Sequence, residues 1–213
     1  MTDIRWDILT IGHLSRNKFW GESDRQAYRA PRCTCTLIRT QGRNIIVDPS
    51  CPPEEMVTVL EQRTGLKPQQ IDTVVLTHFH GDHRFGIEAF PEARWVMASR
   101  EIEDCKLKVS EGSADRQILN KLQPAEEGIS AGIELLATPG HCMGHHSLVF
   151  HSEGMKVVLA ADAVMTKDFF FAKDYYFNTV DPAAAVKSIE AIAEIADLII
   201  PGHDNYFYIK GRG

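Results

Sequence analysis

The stretch Ile71-Asp72-Thr73-Val74-Val75-Leu76-Thr77-His78-Phe79-His80-Gly81-Asp82-His83 decides the reading of this chain. Its first half, IDTVVLT, is an unbroken apolar run, as expected of a strand covered on both faces. Its second half sets four imidazole or carboxylate groups within six positions, directly after that strand. His78 and His80 are two residues apart, so they share a side while strand geometry persists. Asp82 and His83 then fall on a turn, which Gly81 can tighten, and can aim at a second point. Imidazole nitrogen and carboxylate oxygen are the usual ligands of zinc and similar divalent ions. Three of the nine histidines lie in this stretch, which sets it apart from a polar loop with unrelated histidines.

The same arrangement recurs downstream. The strand-like GIELLAT (132–138) leads into Pro139-Gly140-His141, and the apolar KVVLAAD (156–162) ends on Asp162. ADLIIPG (196–202) runs straight into His203. Taken alone, Asp162 reads equally as a helix cap or a ligand. Four strand ends that each present His or Asp carry more weight than any one of them, because sites in such folds gather on the loops that a rigid scaffold positions.

Around these points the chain mixes strands and helices. WDILTIG (6–12) reads as a strand, and the polar stretch from Ser15 to Pro31 as a long loop of the kind that serves a site or is disordered. TCTLIRT (34–40) and NIIVDP (44–49) form a hairpin across Gln41-Gly42. Pro53 with Glu54 and Glu55 starts a helix whose apolar Met56, Val59 and Leu60 share a face, and Gly65 ends it. RWVMA (94–98) and SLVFH (147–151) read as strands, Asp181-Pro182 opens the clearest helix, and YFYI (206–209) reads as an edge strand. Val186, Ile189, Ile192 and Ala193 give the helix after Asp181 one apolar stripe. The class is α/β (α+β), and 213 residues suit a single domain over 1–213.

Composition narrows the function. A net charge of -6 argues against nucleic acid as a partner, since a phosphate backbone calls for a basic face. No apolar run reaches the ~20 residues that span a bilayer, and the first dozen residues are too short and charged for a secretory signal. The expectation is a cytoplasmic protein with a small-molecule substrate and no membrane partner. The oligomeric state stays open, a homodimer included. Five cysteines, at 33, 35, 51, 105 and 142, form no disulfide framework. Cys33 and Cys35 lie in an alternating stretch and read as small reduced thiols; Cys142 reads as packed.

His78-Phe79-His80-Gly81-Asp82-His83 resembles the HxHxDH motif of the metallo-β-lactamase fold superfamily. TPGH at 138–141, Asp162 at a strand end and PGH at 201–203 are similar to the remaining ligand motifs, in the family's order, and the likeness runs from about residue 6 to 210. The resemblance implies a four-layer αβ/βα sandwich with the site at one edge of two packed sheets. It also implies that His78, His80 and His141 bind one metal, that Asp82, His83 and His203 bind the other, and that Asp162 bridges them. Asp48-Pro49-Ser50 departs from the family's frequent Asp-Thr-Gly, at no ligand position. His145 matches a second family histidine and is expected to be buried in support; His13 is a weaker candidate to face the site, and Asp48 a candidate partner for a ligand imidazole.

The implied cofactor is a pair of divalent ions, zinc first, with iron, manganese or cobalt fitting the same ligands. The implied reaction is hydrolysis by a metal-bridging hydroxide, with Asp82 as the catalytic proton acceptor. A small ester, lactone or thioester is the leading substrate class; phosphodiesterase or nuclease action and sulfur dioxygenation are the alternatives within the fold. The aromatic run Asp168–Asn178 follows Asp162 and shows no clean period, so it is expected to line the pocket. Phe170, Tyr175 and Tyr176 are its candidate substrate contacts, since a Tyr in a similar place contacts substrate in the family's lactonases.

Overall fold

Alternation along the strands sorts the apolar side chains into layers. The computed structural model describes residues 4–209. Strands β1 (Arg5–Thr10), β2 (Cys35–Thr40), β3 (Arg43–Val47), β4 (Thr73–Val75), β5 (Arg94–Met97) and β6 (Gln123–Pro124) form one sheet in that order. β1, β2 and β3 pair antiparallel, and β3 to β6 run parallel. Strands β7 (Ile133–Ala137), β8 (His146–Ser152), β9 (Met155–Ala161), β10 (Leu198–Pro201) and β11 (Phe207–Tyr208) form the second sheet, in the order β11-β10-β9-β8-β7. Only β9 and β10 are parallel there. The helices are α1 (Pro53–Thr64), α2 (Gly81–Arg84), α3 (Ser99–Lys108), α4 (Ala114–Lys121), α5 (Lys167–Ala172) and α6 (Pro182–Ile195).

Leu37, Ile46 and Val74 face Met56 and Leu60 of α1, Ile102 of α3 and Leu119 of α4. Their neighbours Ile38, Ile45, Val47 and Val75 face the other way and meet Leu148, Phe150, Val157, Leu159 and Ile200 of the second sheet. On the far side of that sheet Val149, Val158 and Ile199 pack against Phe170 of α5 and Ile189 and Ile192 of α6. Helix, sheet, sheet and helix therefore stack in four layers, as the resemblance implies. Each large apolar side chain so buried stabilises by about 1.5–3 kcal/mol. This is why IDTVVLT carries no polar residue between Thr73 and Thr77: Val74 and Val75 serve different cores.

The expected hairpin, the α1 helix and the edge strand near the C-terminus are all present. Pro53 opens α1 and Gly65, at φ 72, closes it with its N–H on the Glu61 carbonyl. The Ser15 to Pro31 segment is a loop with one short helical turn at Lys18–Trp20, and a bridge between His13 and Arg32 pins its ends together. The aromatic run differs from its reading as aperiodic. Its first five residues, with Lys167 before them, form α5, started by the Thr166 side chain and stopped by Lys173 in the left-handed region at φ 50. A helix of that length is too short to display a period. Among the described residues no helix is long and apolar enough to cross a membrane.

Candidate metal centre

Asp48 directly follows β3, with φ 51, a conformation that Asp tolerates better than most side chains. Its buried carboxylate receives the Thr77 N–H at 2.9 Å on Oδ1 and the Thr77 hydroxyl at 2.7 Å on Oδ2. His83 Nδ1 lies 2.9 Å from the same Oδ2. A carboxylate only accepts, so His83 carries its proton on Nδ1. Thr77 spends its one hydroxyl proton on Asp48, so toward His78 Nδ1, 3.1 Å away, it accepts. His78 is thereby protonated on Nδ1 as well. In its neutral form each ring therefore turns an unprotonated Nε2 toward the centre of the cluster.

His203 is oriented by main chain: its Nδ1 donates toward the carbonyls of Arg32 at 2.9 Å and His13 at 3.2 Å. His13 thus contributes through its backbone; its ring contacts the Ala30 carbonyl. His80 caps α2, with Nδ1 2.9 Å from both His78 Nε2 and His141 Nε2. His80 Nε2 lies 3.8 Å from the Cys142 thiol.

Asp162 sits between the two groups of imidazoles. Its Oδ2 is 3.2 Å from His141 Nε2 and 3.9 Å from His78 Nε2. Its Oδ1 is 3.1 Å from His83 Nε2 and 3.2 Å from His203 Nε2. Asp82 completes the second group, with Oδ2 3.7 Å from His203 Nε2. Gly202 makes this approach possible, because a Cβ there would overlap Asp162 Oδ1. All seven side chains expected to bind metal are therefore gathered at one point.

The donor set fits a divalent cation. His83 Nε2 and Asp162 Oδ1 are buried and lack a hydrogen-bond partner although they face each other, and such orphaned groups cost about 1–3 kcal/mol each. Imidazole nitrogens and a carboxylate that converge in this way are what zinc-like ions bind. Protonation states agree. Burial pushes His78 well below its usual pKa and His141 down to about 3, so both are neutral. Burial would raise Asp162, but the rings of His83, His203 and His141 outweigh it and hold the carboxylate well below its usual range. Burial would likewise lower His83 and His203, but Cys33, Asp162 and Asp48 raise His83, and Asp162 and Asp82 raise His203.

A cleft of about 220 Å³ opens onto Asp82, Asp162 and His203, walled by Leu14, Pro31, Tyr176 and Phe177. Of the three aromatic candidates, only Tyr176 lines it. Its hydroxyl bonds Ser15 Oγ at 2.9 Å and the Arg16 carbonyl at 3.2 Å. Phe170 points away and packs on Phe207, ring centres 5.4 Å apart, because α5 turns that face toward α6. Tyr175 is exposed and is not part of the cleft wall. Lys173 pairs with Glu190 on the surface. His145 is buried as expected, held by Thr138 Oγ1 at 2.9 Å on Nδ1, its ring 5.1 Å from that of His78. Cys33 and Cys35 are buried free thiols. Thr77 and the Arg32 carbonyl escaped the sequence reading, whereas Ser15 and Pro31, the ends of the loop read there as one that serves a site, both line the cleft. Only Thr77, adjacent to the motif, carried a signal that could have found it.

The sequence family described as the metallo-beta-lactamase superfamily matches residues 28–203. N-acyl homoserine lactonase of Bacillus cereus is 28% identical over 165 residues, covering 73% of this chain and 65% of that protein. The chain thus spans a little under two thirds of the curated relatives it matches first. A quorum-quenching N-acyl homoserine lactone lactonase has a solved structure with TM-score 0.73 and 25% identity, covering 97% of this chain and 99% of that one. A Staphylococcus aureus protein described as a probable metal-dependent hydrolase superposes with TM-score 0.78 at 19% identity, over 97% and 91% of the two chains. With the match over most of its length, the chain belongs to the metallo-beta-lactamase superfamily.

Proposed function

We propose that the chain is a metal-dependent hydrolase that opens a small lactone, or cleaves a related ester or thioester, at a centre for two divalent ions, zinc first among them. The observation that carries this reading is the position of Asp162, whose two oxygens face two separate imidazole groups. His78 Nε2, His80 Nδ1 and His141 Nε2 would hold one ion. Asp82, His83 and His203 would hold the other, with Asp162 between them. Bound divalent ions supply Lewis-acid polarisation of a carbonyl oxygen and acidify water near neutral pH.

The protein's own groups supply the rest. Asp48 and Thr77 fix the tautomers of His83 and His78. Asp82, at the cleft floor, would take the proton of the attacking water onto a carboxylate oxygen and return it to the leaving oxygen or sulfur as the tetrahedral centre collapses. The Tyr176 hydroxyl, held at the wall by Ser15 and the Arg16 carbonyl, would turn its one proton from that carbonyl to a substrate carbonyl. The cleft is smaller than the roughly 300–1,000 Å³ of a drug-sized pocket, which suits a small lactone head. Lactonase relatives at 28% identity favour the lactone over the other esters.

The test is hydrolysis of a panel of N-acyl homoserine lactones, simple lactones, thioesters and phosphodiesters, before and after chelation. Lactone opening that is lost with the metal and returns with zinc supports the reading. Phosphodiester cleavage with no lactone opening would overturn it.

A further inference from the structure

Glu101 lies in the first turn of α3 and is 3% exposed. Its carboxylate receives two backbone N–H groups from different parts of the chain. Phe79 N donates to Oε1 at 3.4 Å and Gly144 N to Oε2 at 3.1 Å. The Cys105 thiol, one turn along, contacts Oε1 at 3.6 Å. Gly144 packs so closely on Glu101 that a Cβ there would lie 2.7 Å from the Glu101 Cβ and overlap its backbone. Phe79 is also held from its other side, by Arg84 Nε on its carbonyl at 3.1 Å.

These two N–H groups are not arbitrary ones. Phe79 stands between His78 and His80, after β4 of the first sheet. Gly144 stands in the loop that carries His141, between β7 and β8 of the second sheet. The sheets share no ladder, so the distance between His80 and His141 depends on ties between the two loops. One is direct, from His146 N to the Thr77 carbonyl at 3.2 Å. Glu101 adds two more from a third element.

We propose that Glu101 is a positioning residue: it clamps the His78–His80 loop to the His141 loop and so sets how tightly the three imidazoles hold a metal ion. This rests on the metal-site reading above. The carboxylate touches neither substrate nor the reacting atoms, so its effect is on ligand geometry. Outer partners of this kind are worth about 10–100-fold in metal affinity.

The test compares zinc affinity, by competition with a chromophoric chelator, in the wild-type chain and the Glu101→Gln and Ile102→Ala variants. Glu101→Gln keeps the volume but can accept only one of the two N–H groups, its amide nitrogen facing the other. Ile102→Ala weakens the same helix, through the first-sheet core it shares with Phe79, and removes no hydrogen bond to either loop. The expected result is a 10–100-fold loss of affinity for at least one ion in Glu101→Gln, with Ile102→Ala binding as wild type. Equal affinity in Glu101→Gln and wild type overturns the clamp, as does an equal loss in both variants, which would mark a stability effect. A wild-type chain that takes up no zinc would overturn the metal-site reading itself, and this inference with it.

Discussion

Asp48 Oδ2 lies 2.9 Å from His83 Nδ1 and at the same time accepts the Thr77 hydroxyl that orients His78. One carboxylate, contributed by a neighbouring strand, therefore sets the tautomer of an imidazole in each of the two ligand groups. Asp48→Ala is expected to weaken zinc binding by about 10–100-fold, measured by competition titration. Unchanged affinity would show that the rings are oriented by packing alone.

Gly202 leaves room for Asp162 that no other residue can leave. Gly202→Ala is expected to displace the carboxylate and reduce bound metal, read by elemental analysis of the folded variant. Gly112→Ala is the control: it faces open space at φ +80, so its strain of about 1 kcal/mol is purely local. Metal content equal to wild type in both variants would contradict the placement of Asp162.

Proton release on metal binding follows from the shifted imidazoles. His78 and His141 are held neutral by burial and have no proton to lose at pH 7. Against burial, His83 is raised by Cys33, Asp162 and Asp48, and His203 by Asp162 and Asp82, so these two are the imidazoles with protons to release. A ligand nitrogen must be deprotonated. Calorimetric zinc titrations of the metal-free chain, in two buffers of different ionisation heat, are expected to show up to about two protons released per chain at pH 7. The number should fall as pH rises through the raised values. Release from four or five groups would contradict the assignment.

Tyr176 and its neighbours divide by position. Tyr176→Phe removes the hydroxyl at the cleft wall, so kcat/KM on a lactone is expected to drop up to about tenfold with metal content unchanged. Tyr175→Phe, outside the cleft, is expected to leave both alone. The reverse pattern would place the substrate elsewhere.

Much of the site was legible because ligands need particular residue types at particular strand ends. His78 to His83, His141, Asp162 and His203 announce themselves once the apolar runs before them are read as strands. The layers were legible for the same reason, since Val74 and Val75 must each find a core. What stayed hidden was set by tertiary contact. Phe170 and Tyr176 belong to one aromatic run, and only the short α5 and its left-handed stop at Lys173 turn one toward α6 and the other toward the cleft. Glu101 looks like any exposed helix glutamate until the fold brings Phe79 and Gly144 to it. The carbonyl of Arg32 that orients His203 has no side-chain signature at all.

The most direct test of the proposed centre is the metal content of the full chain, with and without the carboxylate between its two halves. Wild-type protein purified without chelator is expected to carry about two divalent ions per chain, and Asp162→Ala to carry one or none and to lose lactone hydrolysis. No metal in the wild type, or the same content in both proteins, would contradict the account.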